Sequence, residues 1–557
     1  MTNVELPLNN EEWNCKNCKF CKTNFDNRIF FCDEYKKEIE LNEACINWIK
    51  ADEGYLPNFV KQELNEIDKK VLLNQILICL KTKDRSQASE ILVNEVKKKY
   101  RIYTIRKDIE NPEMWVYYDG IYIPEARTFV RAFCRNIMGD TFTNQLVNEV
   151  IKKIEVDTYI DENKFFEYND NINEIAIKNG ILNIYSRELR PFSPEDKFFN
   201  KINVNYNPVA ECPNILKHLK TVLKNEEDKD IFLEICGWCL LREYRPEKII
   251  VWTGRGRNGK TKTAELLKLF LGPDTCANIP PQRLETEPFA TAELLHKLAN
   301  IAGDVSAEAL KTTGQIKMLS GGDFVSANRK FLPMIHFKNY AKMIFLMNEI
   351  PRTYDLSDAF FGRLIIQEFP YEFISEKEIR QRKSEDISNC KIKDEKIVEK
   401  LTSEEELSGL LNLALISLVK IQDLRDFSYS KTTQEVKDMW LRKSDSFNAF
   451  FMDILELQPE SKITKQELRK VYANYCHKHK LKPQGDRTIN ESLTRQGVSE
   501  DDELIESKKV RLWWGINFKF GKSKIDERGY SWFINENNNN ILSIKVDEED
   551  LSWFGEN

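Results

Sequence analysis

The chain has 557 residues, 83 Lys and Arg against 89 Asp and Glu, and a formal net charge of -6. That length gives a prior of three or four domains, and 41% hydrophobic residues with 11% aromatics exclude wholesale disorder. The net acidity argues against a basic nucleic-acid coat protein.

The N-terminal Met1–Glu12 stretch is polar and acidic, unlike a signal or transit peptide. The longest apolar run, Leu410–Val419, is interrupted by Asn412 and Ser417 and falls short of the roughly 18 residues that span a bilayer. The expectation is a soluble, cytoplasmic chain with no membrane partner. Five of the 13 cysteines fall between Cys15 and Cys45, a clustering that in an intracellular chain points to metal rather than disulfides. Residues 1–50 therefore read as a small metal-binding module. Cys15, Cys18, Cys32 and Cys45 make a tetrahedral Zn²⁺ set, with Cys21 spare and Phe20, Phe31 and Trp48 as its core. An iron–sulfur cluster that uses Cys21 is the alternative.

Residues 51–100 read as a helical segment, because Val71, Leu72, Ile76, Leu77 and Leu80, then Ala88, Ile91, Leu92 and Val96, recur at helical spacing. Residues 101–245 read as an α+β domain. Within it Asp119-Gly120 separates two aromatic runs as a hairpin turn does. Cys236 and Cys239 sit in the apolar run Ile231–Leu241 and read as buried helix cysteines, not ligands.

Residues 246–375 alternate apolar strands with helices, as in an α/β nucleotide-binding core. The segment Ile249-Ile-Val-Trp-Thr-Gly254-Arg255-Gly256-Arg257-Asn258-Gly259-Lys260-Thr261-Lys262 matches a strand, a GxxxxGK[ST] phosphate loop and a helix. Its glycines let backbone N–H groups turn towards phosphate, and the helix N-terminus adds a positive dipole end. Lys260 would reach the β- and γ-phosphates of ATP, and the Thr261 hydroxyl would ligate Mg²⁺. Two further strands end in polar residues: Asp304 as a Mg²⁺ partner, and Asn348 to orient the attacking water or sense the γ-phosphate.

Residues 376–434 read as a helical linker or lid, its 375–400 stretch charged and sparsely apolar, with a Ser403–Glu406 capping box before the next helix. Residues 435–520 read as a winged helix, in which Lys462, Lys465, Arg469, Lys470, Lys478, Lys480, Lys482 and Arg487 form a basic patch able to steer DNA phosphates. Residues 521–557 read as an acidic, low-complexity tail.

The series of Gly254–Thr261, Asp304, Gln315–Asp323, Arg329-Lys330-Phe331, Lys342–Pro351 and Asp358–Leu364 resembles the superfamily 3 helicases. More narrowly it is similar to the helicase half of the primase-helicases of poxviruses, other large DNA viruses, satellite phages and plasmids. The resemblance implies an AAA+-like ATPase that forms a ring, usually a hexamer, and moves 3′→5′ on single-stranded or forked DNA during replication. It makes Arg363 an arginine finger for a neighbour's ATP site. It places Arg329, Lys330 and Phe331 at the tip of a DNA-facing hairpin, whose basic face Lys338 and Lys342 would extend. The chain departs from the family in having one acidic residue after the second strand, flanked by Gly303 and Val305, with Glu308 as a weak substitute for the missing group. It also lacks a paired-carboxylate primase pattern before residue 110, so a separate primase or replication protein becomes an expected partner. Two other readings stand beside this one: a nucleotide-switched initiator or defence ATPase without processive unwinding, and a zinc-dependent adaptor that recruits a primase.

Overall fold

The computed structural model describes residues 21–24, 29–32, 66–105, 112–166, 172–330, 332–382, 389–479, 481–505, 508–519, 524–525, 530–534 and 541–545. Near the start, strands β1 (Cys21–Asn24) and β2 (Ile29–Cys32) pair antiparallel, with Cys21 opposite Cys32. Cys15, Cys18 and Cys45 lie outside the described residues, and only the backbone of Cys32 is described, so the expected zinc set is not visible as a site.

The chain divides into two compact units, residues 1–168 with 194–197, and residues 169–193 with 198–557. In the first, helices α1 (Glu66–Lys81), α2 (Arg85–Lys99), α3 (Ala126–Met138) and α4 (Asn144–Asp157) enclose a core that includes Ile76, Leu92, Val96, Phe129, Phe133 and Val150. These residues recur every three or four positions, so each helix buries one stripe. Strands β3 (Ile102–Ile105), β4 (Glu113–Tyr118) and β5 (Ile121–Ile123) form an antiparallel sheet beside them. Asp119 and Gly120 both have positive φ, 48° and 87°, which gives the two-residue turn that the sequence predicts. A short helix, α5 (Glu162–Phe166), buries Phe165 against Tyr103, Trp115 and Tyr122.

The second unit opens with an antiparallel sheet of β6 (Glu174–Ile177), β7 (Gly180–Asn183) and β8 (Leu189–Arg190), followed by α6 (Pro213–Val222) and α7 (Glu226–Trp238). Its centre is a five-stranded, fully parallel sheet. The strands in chain order are β9 (Ile249–Thr253), β10 (Cys276–Ala277), β11 (Ala299–Val305), β14 (Lys342–Met347) and β15 (Leu364–Glu368), and their spatial order is β10-β11-β14-β9-β15. Both β9 and β14 are buried along their whole length, as strands with both faces covered require. Helices α8 (Lys260–Leu271), α9 (Pro281–Thr286) and α10 (Gly314–Ser320) connect these strands. An antiparallel hairpin, β12 (Phe324–Arg329) and β13 (Leu332–Lys338), stands between α10 and β14, and a single turn, α11 (Asp358–Phe361), precedes β15. The α/β class with a parallel sheet is as the sequence predicts.

The charged 375–400 stretch is more structured than its composition suggests. β16 (Glu372–Ile374) and β17 (Cys390–Ile392) pair in parallel, and α12 (Glu376–Gln381) and α13 (Ile397–Leu401) flank them. The next helix, α14 (Glu404–Leu424), has 21 residues and an 18-residue window of mean hydropathy 1.4, long and apolar enough to cross a membrane. This corrects the expectation drawn from Leu410–Val419: Asn412 does not interrupt the apolar window, and its amide donates to the carbonyls of Asn207 and Ala210. Half of that window is buried in this structure, with Gly237 of α7 lying directly against Ala414 and Leu418. The predicted Ser403–Glu406 box is half formed. Ser403 Oγ accepts from Glu406 N at 3.4 Å, but the Glu406 carboxylate turns to α6, where it accepts from the backbone N–H of Asn214 and of Ile215, both at 3.0 Å. Cys236 and Cys239 are fully buried, as predicted.

Beyond α15 (Thr433–Ser444), the last part packs α16 (Ser446–Ile454), α17 (Lys465–His479) and α18 (Asp486–Arg495) against a sheet ordered β18-β20-β19. Those strands are β18 (Leu455–Thr464), β19 (Ser499–Ile505) and β20 (Lys508–Phe518). Their shared core includes Phe447, Phe450, Leu468, Tyr472, Leu493 and Trp513. Within the stretch expected to be a low-complexity tail, β21 (Lys524–Ile525), β22 (Tyr530–Ile534) and β23 (Ile541–Lys545) pair antiparallel. Tyr530-Ser-Trp-Phe-Ile534 has the aromatic, β-branched composition of a strand, which the neighbouring asparagine run masks in a compositional reading.

Candidate functional site

The glycine loop leaves the C-terminal end of β9, the strand between β14 and β15. Its shape needs two of its glycines. Gly254 has φ 151°, and a Cβ there would sit 2.3 Å from Asn258 Nδ2 and 2.5 Å from the Phe369 carbonyl oxygen. Gly259 has φ 90°, and a Cβ there would meet Val222 Cγ1 at 2.8 Å. Asn258 is buried and pins the loop to the sheet through Nδ2, which donates to the Phe369 carbonyl at 3.2 Å. Arg257, without a glycine's freedom, is held at φ 60°, and its carbonyl accepts from Phe373 N at 2.7 Å.

α8 begins immediately after the loop; Gly259 at its N-cap has no side chain to cap it, and Asn258 Oδ1 accepts from Lys260 N at 3.3 Å. Such an end binds anions through its backbone N–H donors and its dipole. Lys260 is 5% exposed. Its ammonium donates to the carbonyls of Gly254 and Arg255, to Asn258 Oδ1 at 3.2 Å and to Asn348 Oδ1 at 3.2 Å. The lysine head therefore lies inside the loop, held by oxygen ligands. Thr261 and Lys262 are exposed at the helix start, and Lys262 pairs with Glu265 at 2.8 Å.

Two strand ends complete this edge of the sheet. Asn348 follows β14 directly, and strand pairing brings it to Lys260 across 88 positions of sequence. Asp304 lies near the end of β11, where the register with β14 shifts between Ala302 and Val305. Its backbone is thus at the same edge of the sheet, one strand beyond Asn348.

The loop opens into a cleft of about 1140 Å³. α6 lines it with Asn214, Lys217, His218, Thr221 and Val222, and the far wall carries Phe373, Ile374, Glu378, Ile392, Lys393 and Lys400. None of these was singled out from the sequence. α6 begins 47 residues before Lys260 (260 − 213), and a polar stripe on a short helix has no distinguishing spacing. His218 is buried, its Nε2 3.1 Å from Thr263 Oγ1 on α8, and burial lowers its pKa to about 4. Glu378 accepts from Ser375 N and pairs with Arg257 at 2.8 Å; these contacts, the backbone bond first, pull its pKa down to about 2.

Arg363 lies at the opposite end of the sheet. β15 runs parallel to β9 from Leu364 beside Ile249 to Glu368 beside Thr253, so Arg363 is about 16 Å from the loop end, at roughly 3.3 Å per strand residue. It pairs with Glu247 at 2.8 Å and donates to the Ala359 carbonyl, and it takes no part in the cleft of its own chain. A hairpin stands where the resemblance implies one: Arg329 pairs with Leu332, and Phe331 lies outside the described residues. Val325, Ala327 and Ile335 face inwards, while Phe324, Met334, His336 and Lys338 are exposed.

Lys342 does not extend that basic face. It is completely buried, and its ammonium donates to the carbonyls of Leu241, Glu243 and Tyr340 at 2.7–2.8 Å. Burial lowers its pKa to about 7. The basic patch of the last domain is also smaller than its composition implies. Lys462, Lys465, Arg469 and Arg487 are paired with Glu503, Glu500, Asp486 and Glu491, and Lys480 lies outside the described residues. The acids on β19 come from a separate stretch of sequence, so a count over 461–490 omits them.

Two family models match the chain: "D5 N terminal like" over residues 29–224 and a "family of unknown function (DUF5906)" over residues 252–363. The chain is 27% identical over 312 residues to "Putative helicase L207/L206" of Acanthamoeba polyphaga mimivirus, covering 54% of this chain and 31% of that protein. It is 25% identical over 160 residues to the "DNA Primase-polymerase" of Nitratiruptor phage NrS-1, covering 28% of this chain and 22% of that protein. The chain thus spans about a third or less of each of these relatives. The apo structure of the NrS-1 C-terminal region aligns with a TM-score of 0.38 at 14% identity, covering 76% of this chain and 98% of that one.

Proposed function

We propose that this chain, a relative of viral and phage primase-helicase-like proteins, is an ATP-dependent DNA helicase serving the replication of a viral, plasmid or integrated element. The observation that supports this most directly is the loop itself. Gly254 and Gly259 let the loop pack against Asn258, Phe369 and Val222 where a Cβ would clash, and Lys260 and Asn348 converge beside the N-terminus of α8. That donor set fits the phosphates of a nucleoside triphosphate, whose oxygens would replace the loop carbonyls around Lys260.

Thr261 at the start of α8 and Asp304 at the end of β11 would hold Mg²⁺, which supplies neutralisation of phosphate charge when bound. In this reading the backbone N–H groups of the loop orient the phosphates, and Asn348, 3.2 Å from the Lys260 ammonium, orients the attacking water or senses the γ-phosphate. The distance of Arg363 from its own cleft fits a role in a neighbouring subunit's site, where a fixed cation stabilises charge that develops on the transferred phosphoryl group. A ring, with six subunits and 3′→5′ movement, is part of this reading, as are a winged-helix last domain and structural Zn²⁺ held by Cys15, Cys18, Cys32 and Cys45. Arg329 and Lys330 at the hairpin tip supply phosphate contacts to one DNA strand.

The test is strand displacement on forked DNA with either polarity of overhang. ATP-dependent separation is expected in the native chain, its complete loss in Lys260→Ala, and a reduced rate with retained basal ATP hydrolysis in the Arg329→Ala, Lys330→Ala pair. Unwinding that persists in Lys260→Ala refutes the reading, and so does a chain that hydrolyses ATP yet separates neither substrate.

A further inference from the structure

Besides the glycine loop and α6, the cleft is lined by residues of the 372–382 and 389–401 segments. β16 and β17 pair with Phe373 beside Lys391 and Ile374 beside Ile392. Three contacts fix this flap around the loop. Phe373 N donates to the Arg257 carbonyl at 2.7 Å, Arg257 pairs with Glu378 at 2.8 Å, and Lys391 Nζ donates at 2.6 Å to the carbonyl of Thr221, near the end of α6. Across the cleft, α6 lines it with Asn214, Lys217, His218, Thr221 and Val222, a spacing of i, i+3, i+4, i+7 and i+8 that forms one helical stripe.

The chemistry of the two ends differs. Phosphate-binding groups are concentrated at Gly254–Thr261. The flap instead presents Ile374, buried, and Ile392, which is 58% exposed although it lines the cleft. An open isoleucine beside Lys393 and Lys400 has no phosphate-binding use, whereas a flat aromatic ring covers such a surface well. Asn214 and Thr221 line the cleft on α6; Asn214 Nδ2 donates to Glu406 and Thr221 Oγ1 donates to the Lys217 carbonyl, so each offers its side-chain oxygen as an acceptor for a polar edge of a base or a ribose.

We infer that the β16–β17 flap is the base-binding wall of the nucleotide site, with Ile392 as its apolar platform and the α6 stripe as its polar counterpart. This rests on the reading of the loop as a triphosphate site, and names the part of that site that recognises the nucleoside.

The experiment is calorimetric titration of the full chain, in Mg²⁺, with ATP and separately with inorganic tripolyphosphate. Native protein is expected to bind ATP more tightly than tripolyphosphate. Ile392→Asp is expected to weaken ATP about tenfold or more, from the loss of a buried apolar contact, and to leave tripolyphosphate within about twofold. Ile392→Ala, which introduces no charge, is expected to show a smaller loss confined to ATP. The inference is overturned if both variants bind ATP as the native chain does, or if they weaken both ligands equally, which would put Ile392 at the phosphate end. A native chain that binds neither ligand refutes instead the triphosphate reading on which the inference rests.

Discussion

His218 makes the contact between α6 and α8 sensitive to acid. Its ring is buried against Thr263, and burial lowers its pKa from 6.5 to about 4. Above pH 6.5 the imidazole is neutral whether the two helices are closed or locally opened. As the pH falls through 6.5 the opened form takes up a proton, whereas the closed form does so only near pH 4. Stability is therefore full above the open-state value and is lost as the pH falls towards the closed-state value. At pH 5 the linkage relation for values of 6.5 and 4 gives a loss of about 2 kcal/mol, or about 30-fold in the opening equilibrium. Hydrogen exchange of α6 and α8 amides, corrected for the intrinsic pH dependence of exchange, reads this directly. Native protein should lose about 30-fold protection in these helices between pH 8 and pH 5. His218→Gln should lose little, because its amide does not titrate and can still meet Thr263. Equal pH dependence in the two proteins would refute the reasoning.

Two further substitutions test how the cleft is built. Glu406→Ala removes an acceptor shared by Asn214 N, Ile215 N and Asn214 Nδ2; it should cost about 2 kcal/mol and raise amide exchange first at the start of α6, before the rest of the unit. Gly237→Ala places a Cβ 2.3 Å from the Ala414 carbonyl and 3.0 Å from Leu418 N. Because backbone cannot yield as a flexible side chain does, the α7–α14 contact should weaken by at least about 2–3 kcal/mol, read as a lower denaturation midpoint. An unchanged midpoint would show that the two helices separate freely.

Several features of this protein are written locally and were legible as such. The loop from Gly254 to Thr261 requires particular residues at particular steps, because only glycine tolerates φ 151° at Gly254 and φ 90° at Gly259 against the neighbouring atoms. The Asp119-Gly120 turn and the burial of Cys236 and Cys239 are equally local, being set by backbone preference and by apolar surroundings within a few residues. The parallel strands also announce themselves, since Ile249–Trp252 of β9 and Met343–Met347 of β14 are uninterrupted apolar runs.

Tertiary structure decided what meets what. The order β10-β11-β14-β9-β15 brings Asn348 to Lys260, and hydrophobic pattern identifies strands without ordering them. Glu406 obeys its local capping pattern at the backbone, while its carboxylate leaves for a helix some 190 residues earlier, because burial requires a partner and α6 offers unsatisfied N–H groups. Lys342 reads as a surface cation from its neighbours in sequence, yet it begins a central strand and points to a nest of carbonyls. The flap that walls the cleft was hidden for the opposite reason: its charged composition suggests a linker, and its few apolar residues gain meaning only where Phe373, Ile374 and Ile392 line the same cavity as α6. Sequence alone determined the shape of the glycine loop, because that shape resides in the backbone freedom of consecutive residues. The extent and walls of the cleft were decided by the fold, because they are made of residues that only strand order and helix packing bring together.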